Sequence, residues 1–125
     1  MRMPAMKPMT AVVAACAAIV LACTAPLAAA AGNVANGKAL ADKYSCFTCH
    51  GKDYNTPLDP SYPKLAGQHK DYLAHALTAY QRGGEGTNGR NNAIMVGQVK
   101  PLSKQDIVDL AAYLNSLPGQ LVVHR

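Results

Sequence analysis

An all-α fold of three main helices joined by long loops is what this chain predicts, on three observations. Apolar residues recur at helical spacing in three separate segments. No segment alternates apolar and polar residues as a strand does, and the stretches between helices are rich in Gly, Pro and Asn. The 125 residues suffice for one domain and not two, and no internal repeat is visible.

The first element is not part of that fold. Arg2 and Lys7 precede an uncharged run from Met9 to Ala31, and no further charge occurs until Lys38. A basic start, an apolar middle and small residues at the end read as a secretory signal peptide over residues 1–31, with cleavage after Ala30 or Ala31. A retained anchor is the alternative, but Thr10 to Leu21 is short and Ala-rich for a membrane span, which needs ~20 strongly apolar residues. Cys23 also resembles, loosely, a lipoprotein cysteine that would begin the mature chain and carry a lipid anchor; Leu21 fits that pattern poorly. The expectation is an exported, periplasmic protein with one domain over residues 32–125.

The first helix is predicted from about Asn33 to Ser45, with Asn33 as N-cap and Gly37, Leu40, Ala41 and Tyr44 on one face. Gly37 is a poor helix former, and its presence makes sense where another helix crosses closely. The second runs from about Gln68 to Arg82 on Leu73, Ala76, Leu77 and Tyr80, and Gly83 with Gly84 stop it. The third follows Ser103, a cap with Asp106 at the third position, and carries Ile107, Leu110, Ala111, Leu114 and Leu117 to Pro118-Gly119. Gly51 to Gly67 and Gly83 to Pro101 are predicted loops.

Without Arg2 and Lys7 the mature part has ten basic and seven acidic side chains. That excess is too small to argue for nucleic acid, and no Lys/Arg run marks a phosphate-binding face. With one Phe and no Trp the core is small, and a domain of this size with such long loops is marginal by itself. Something must fill it.

Cys46-Phe47-Thr48-Cys49-His50 supplies the candidate. Export alone would suggest a disulfide between Cys46 and Cys49. The adjacent His50 changes that, because Cys-x-x-Cys-His is the attachment signature of c-type haem: two thiols add to the two vinyl groups of one porphyrin while the imidazole binds the iron. The rivals are a cycling dithiol, which should lie in a strand-to-helix context, and a zinc site completed by His69 and His75, whose spacing from Cys49 is too long for the usual finger. His69, His75 and His124 read better as surface residues. Met95 is the only methionine outside residues 1–31, in a Gly- and Asn-rich loop that could approach the haem without helical constraint. It reads as the second iron ligand, since thioether is the expected partner of histidine in a His/Met cytochrome; the plain alternative is an apolar loop anchor.

The chain resembles a monohaem class I cytochrome c of the bacterial c4/c553-type group. The likeness covers Asn33 to Gly119 through Gly37, Cys46 to Gly51, Pro63 to Gln68 with Tyr72-Leu73, Asn91 to Met95, and Leu102-Ser103 to Leu114. The resemblance implies a small class I cytochrome c fold around one covalent haem c. It further implies a crossing of the first and last helices near Gly37, Met95 as distal ligand, and a Pro63 carbonyl that accepts the Nδ1 proton of His50. Members of the c4 type proper carry two haem domains, whereas this chain has one motif. The loop from Gly83 to Arg90 is more glycine-rich than the pattern. Arg90, Asn91, Asn92, Gln68 and Tyr72 could bond the haem propionates or the surroundings of Met95, or be solvated loop residues.

With His50 and Met95 both on the iron, no position is open to substrate, so no catalysis is expected. What remains is one-electron transfer between redox protein donors and acceptors by transient docking, with Lys52, Lys64, Lys70 or Lys100 steering acidic partners. The alternatives are a haem subunit held in a dehydrogenase or oxidase complex, and an enzyme or gas sensor from which Met95 departs.

Overall fold

The computed structural model describes residues 31–120. Residues 1–30 of the predicted signal peptide, Cys23 among them, and His124 lie outside the described residues. Five helices follow in order: α1 (Val34–Lys43), α2 (Phe47–His50), α3 (Lys70–Gln81), α4 (Ala93–Val99) and α5 (Lys104–Ser116). Among the described residues there is no strand, and no helix is long and apolar enough to cross a membrane.

The first and last helices form the frame. Asn33 caps α1, its side chain accepting from Asn36 N at 3.0 Å. Ser103 and Asp106 cap α5 reciprocally, each side chain bonding the other's backbone N–H, at 3.1 and 2.9 Å. The helices cross at Gly37, where a Cβ would collide with the carbonyl oxygen of Asp109. Only glycine lets the two backbones approach that closely. Asp109, almost fully buried, locks the crossing by accepting from Asn33 N at 2.7 Å, Asn36 Nδ2 at 2.6 Å and Gln105 Nε2 at 2.8 Å.

Leu40 and Ala41 of α1 pack against Ile107, Leu110, Ala111 and Leu114 of α5, with Leu73, Val99, Leu102, Ala66 and Tyr54 completing the buried cluster. Tyr54 meets Tyr113 edge to face, ring centroids 6.0 Å apart. The inner face of α3 divides: Leu73 joins the core, while Ala76, Leu77 and Tyr80 line a cleft.

Two boundaries differ from expectation. The first helix ends at Lys43 because Ser45 takes a left-handed conformation (φ 51°), and the chain then re-enters a one-turn helix that holds Phe47 to His50 of the Cys-x-x-Cys-His motif, with Cys46 as its N-cap. The stretch from Gly83 to Pro101 is not all loop, since α4 occupies Ala93–Val99. Its signal was Asn92, whose side chain accepts from Met95 N at 3.1 Å as an N-cap.

Candidate haem site

His50 ends α2, and Gly51, at φ 85°, turns the chain sharply away from it. A Cβ at Gly51 would strike the Thr56 carbonyl oxygen, so the loop can fold back against the motif only with glycine there. Backbone bonds fix the return: Leu58 N donates to Cys49 O at 2.9 Å, and Leu65 N to Tyr54 O at 2.8 Å. Buried Asn55 ties the loop to the end of the domain through Pro118 O at 2.9 Å.

The loop delivers the carbonyl of Pro63 to within 2.9 Å of His50 Nδ1. A carbonyl only accepts, so Nδ1 carries a proton and Nε2 is the ring nitrogen left for a metal. The imidazole is thereby fixed in the tautomer a metal ligand requires. His50 is only 6% exposed, with the ring of Tyr62 tilted beside it at 6.4 Å between centroids.

Cys46 and Cys49 are free thiols, both half-buried, and burial pushes the Cys46 thiol above its ordinary value. That direction is opposite to the lowered value that activates the thiolate of a dithiol redox motif. His69 and His75 are exposed, and among the described residues no three His, Cys, Asp or Glu side chains are grouped to hold a metal. The zinc arrangement therefore lacks convergent protein ligands.

Met95 lies in the first turn of α4, not in an unconstrained loop as the sequence suggested. Both ends of its helix are held. Asn92 caps the start, and Gln81 at the end of α3 donates from one amide nitrogen to Val99 O at 2.9 Å and Leu102 O at 2.7 Å. Met95 and His50 line the same cleft, with Cys49, Leu65, Leu77, Ile94 and Leu114. Its walls are mainly apolar, with Cys46, Ala41, Val99, Leu102 and Leu110 at one end.

This donor set fits haem c. Two unpaired thiols, an oriented imidazole and a thioether line one apolar cleft, which suits a flat hydrophobic macrocycle with a central iron. Residues 34–118 match the family described as Cytochrome c. The chain belongs to the cytochrome c family. A cytochrome c of this kind carries covalent haem c through two cysteines, here Cys46 and Cys49. It is similar to cytochrome c4 of Stutzerimonas stutzeri, with 43% identity over 81 residues that cover 61% of this chain and 38% of that protein. Cytochrome c-554(548) of Halomonas halodenitrificans is 41% identical over 87 residues, covering 69% of this chain and 98% of that one. Among solved structures, reduced recombinant cytochrome c4 from Pseudomonas stutzeri superimposes with a TM-score of 0.63 at 38% identity, covering 73% of this chain and 48% of that one. The chain thus spans less than half of these cytochrome c4 relatives and nearly all of cytochrome c-554(548). The all-α class I cytochrome fold and the c4-type likeness expected from the sequence are both present.

Asp109, Gln81 and the capping role of Asn92 were not anticipated. Asp109 is a lone carboxylate beside the apolar stripe of α5, which is a weak signal. Gln81 gave none, because its partners lie 18 and 21 residues away.

Proposed function

We propose that this cytochrome c is a periplasmic electron carrier in which His50 and Met95 ligate one haem iron and redox proteins dock transiently at the rim of the cleft. The observation that carries the reading is the placement of Met95 on the same cleft as the oriented imidazole of His50, on a helix clamped at both ends. Bound haem supplies a one-electron Fe(III)/Fe(II) couple. Pro63 orients His50 and makes it more basic by accepting its Nδ1 proton. The apolar walls contributed by buried Leu110 and Leu114 and half-buried Leu65 and Leu77 would limit water at the site and lower the local dielectric, which with a thioether ligand would favour the reduced state. Asn92 and Gln81 hold α4 in place, which would keep Met95 from shifting when the iron changes oxidation state. His50 and Met95 would both be engaged in holding the iron, which would leave it no position for a substrate and supports a carrier rather than an enzyme.

Exposed Ile94 belongs to both the cleft lining and the outer surface, which suits brief apolar contact with a partner. A relative from Thiomonas intermedia, 40% identical over 73 residues, is named a thiosulfate dehydrogenase electron acceptor. That name supports a dehydrogenase as the class of donor. Export rests on Arg2, Lys7 and the apolar run to Ala31. Mass spectrometry of the exported protein is expected to find one haem on a chain beginning at Ala31 or Gly32; a diacylated chain beginning at Cys23 would establish the lipid anchor instead.

The deciding experiment is Met95→Ala. Ferric low-spin haem with a thioether ligand shows a weak far-red charge-transfer absorption, which the unaltered protein should display and the variant should lose. Covalent haem should remain, the reduction potential should fall, and carbon monoxide should bind. A variant that keeps the band and the potential would show that another group holds the iron.

A further inference from the structure

Two Asn-Gly pairs occur in the chain, Asn36-Gly37 and Asn88-Gly89, and the fold treats them oppositely. Asparagine before glycine is open to attack by the following backbone nitrogen on its own side-chain amide, because glycine has no Cβ to shield that nitrogen. The attack takes place only where the two groups are free to meet.

At Asn36 they are not. The pair lies inside α1, where Gly37 N donates to Asn33 O at 2.9 Å and Asn36 Nδ2 donates to buried Asp109 at 2.6 Å. The helix also fixes the backbone torsions between the two residues. Asn88, by contrast, stands exposed in the glycine-rich loop between α3 and α4. The ends of that loop are tied: Gly83 N donates to Tyr80 O and Arg90 N to Ala79 O, both at 3.0 Å. The Arg90 guanidinium lies over the rings of Tyr72 and Tyr80, 5.5 and 5.6 Å from their centroids. The middle of the loop is not tied. Among the described residues the only bond from a backbone N–H of residues 84–89 is a long one, Glu85 N to Arg82 O at 3.4 Å, and neither the Asn88 amide nor Gly89 N has a partner. Backbone held by so few bonds opens at little cost. The reactive glycine is also required here, since a Cβ at Gly89 would strike the Gly83 carbonyl oxygen.

We propose that Asn88-Gly89 is a site of spontaneous deamidation that changes the charge of the loop beside the cleft, while the fold protects Asn36-Gly37. Gly89 N, once base has taken its proton, attacks Asn88 Cγ. The new N–Cγ bond closes a succinimide, and the Cγ–Nδ2 bond breaks, Nδ2 leaving as ammonia. Water then opens the ring at either carbonyl. Cleavage of the N–Cγ bond gives aspartate, whereas cleavage between Gly89 N and the main-chain carbonyl carbon of Asn88 gives isoaspartate, in which the backbone runs through the side chain. No oxidant, metal or cofactor is consumed. Either product places a carboxylate two residues from Arg90, which lines the cleft and has no carboxylate partner among the described residues. The net charge falls by one, and this rim becomes less attractive to an acidic redox partner.

The test incubates the haem-loaded protein at mildly alkaline pH and follows both sites by tryptic peptide mass spectrometry. Trypsin cuts after Arg82 and Arg90, and the peptide between them carries Asn88 as its only side-chain amide, so the mass gain from exchanging NH2 for OH is read there directly. In the folded protein Asn88 should react at least about tenfold faster than Asn36, equivalent to about 1.4 kcal/mol of protection. In guanidinium the two should react at similar rates, because the protection of Asn36 is lost with the fold. Mildly acidic pH should slow the reaction at Asn88, as attack by a deprotonated nitrogen requires. Asn88→Gln, whose longer side chain would have to close a less favourable, larger ring, should leave the peptide unaltered over the same period. Equal rates at the two sites in the folded protein overturn the proposal, as does a rate ratio that guanidinium leaves unchanged or an Asn88 peptide that gains no mass.

Discussion

Gly37→Ala tests whether the crossing of α1 and α5 is what fixes the frame of the site. A Cβ at this position would strike the Asp109 carbonyl oxygen and lie 2.6 Å from its carbonyl carbon and 2.7 Å from Tyr113 Cβ. None of these atoms is the end of a flexible side chain, so relief requires the helices to part. Two effects oppose each other. Alanine is favoured over glycine in a helix interior by ~1 kcal/mol. Overpacking costs ~1–3 kcal/mol, and parting the helices also stretches the bonds from Asn33 and Asn36 to Asp109, charge-assisted bonds of ~1.5–3 kcal/mol each. The clash therefore wins, and a net loss of ~2–4 kcal/mol is expected. Gly97 in α4 supplies the control, because a Cβ there meets nothing within 4 Å and alanine should gain ~0.5–1 kcal/mol. The assay is guanidinium unfolding of the haem-loaded proteins at constant pH, with the slope checked for constancy so that the midpoint reports stability. A Gly37→Ala protein as stable as the unaltered one, or both alanine variants shifted in the same direction, would refute the reasoning.

Burial, the strongest single influence on Asp109, pushes its carboxyl upward, but the bonds from Asn33, Asn36 and Gln105 together outweigh it and hold the group below the usual carboxylate range. A depressed folded-state value means that its contribution is fully present above the unfolded value of ~3.9 and is lost as the pH falls through the folded value. Asp109→Asn should therefore be less stable at neutral pH by ~1–3 kcal/mol, with the difference from the unaltered protein shrinking below about pH 4; a gap constant across that range would sink the assignment. Gln81→Leu removes both hydrogen bonds donated to Val99 O and Leu102 O and should loosen α4 by ~1–3 kcal/mol. Exogenous imidazole should then compete more readily with Met95 as the proposed iron ligand, whereas imidazole affinity equal to that of the unaltered protein would show that Gln81 does not secure Met95.

Local chemistry determined much of this protein in the sequence itself. Cys-x-x-Cys-His states its chemistry within five consecutive residues, and the stripes of α1, α3 and α5 repeat every three or four, so the cofactor and three helices were legible without neighbours. The close crossing at Gly37 was legible too, because a glycine that weakens a helix calls for a compensating contact. Tertiary structure alone decided the rest. Helix α4 is only about two turns long, begun by Asn92 and clamped from α3 by Gln81, and a periodic stripe cannot be read from seven residues. Asp109 became a lock rather than a surface charge because chain folding brought Asn33 and Asn36, more than seventy residues away, within hydrogen-bond reach. Arg90 became an ordered cation because α3 set Tyr72 and Tyr80 beneath it. Hydrogen bonds and stacking between distant segments leave no periodic trace, since their strength depends on distances that exist only once the chain has closed.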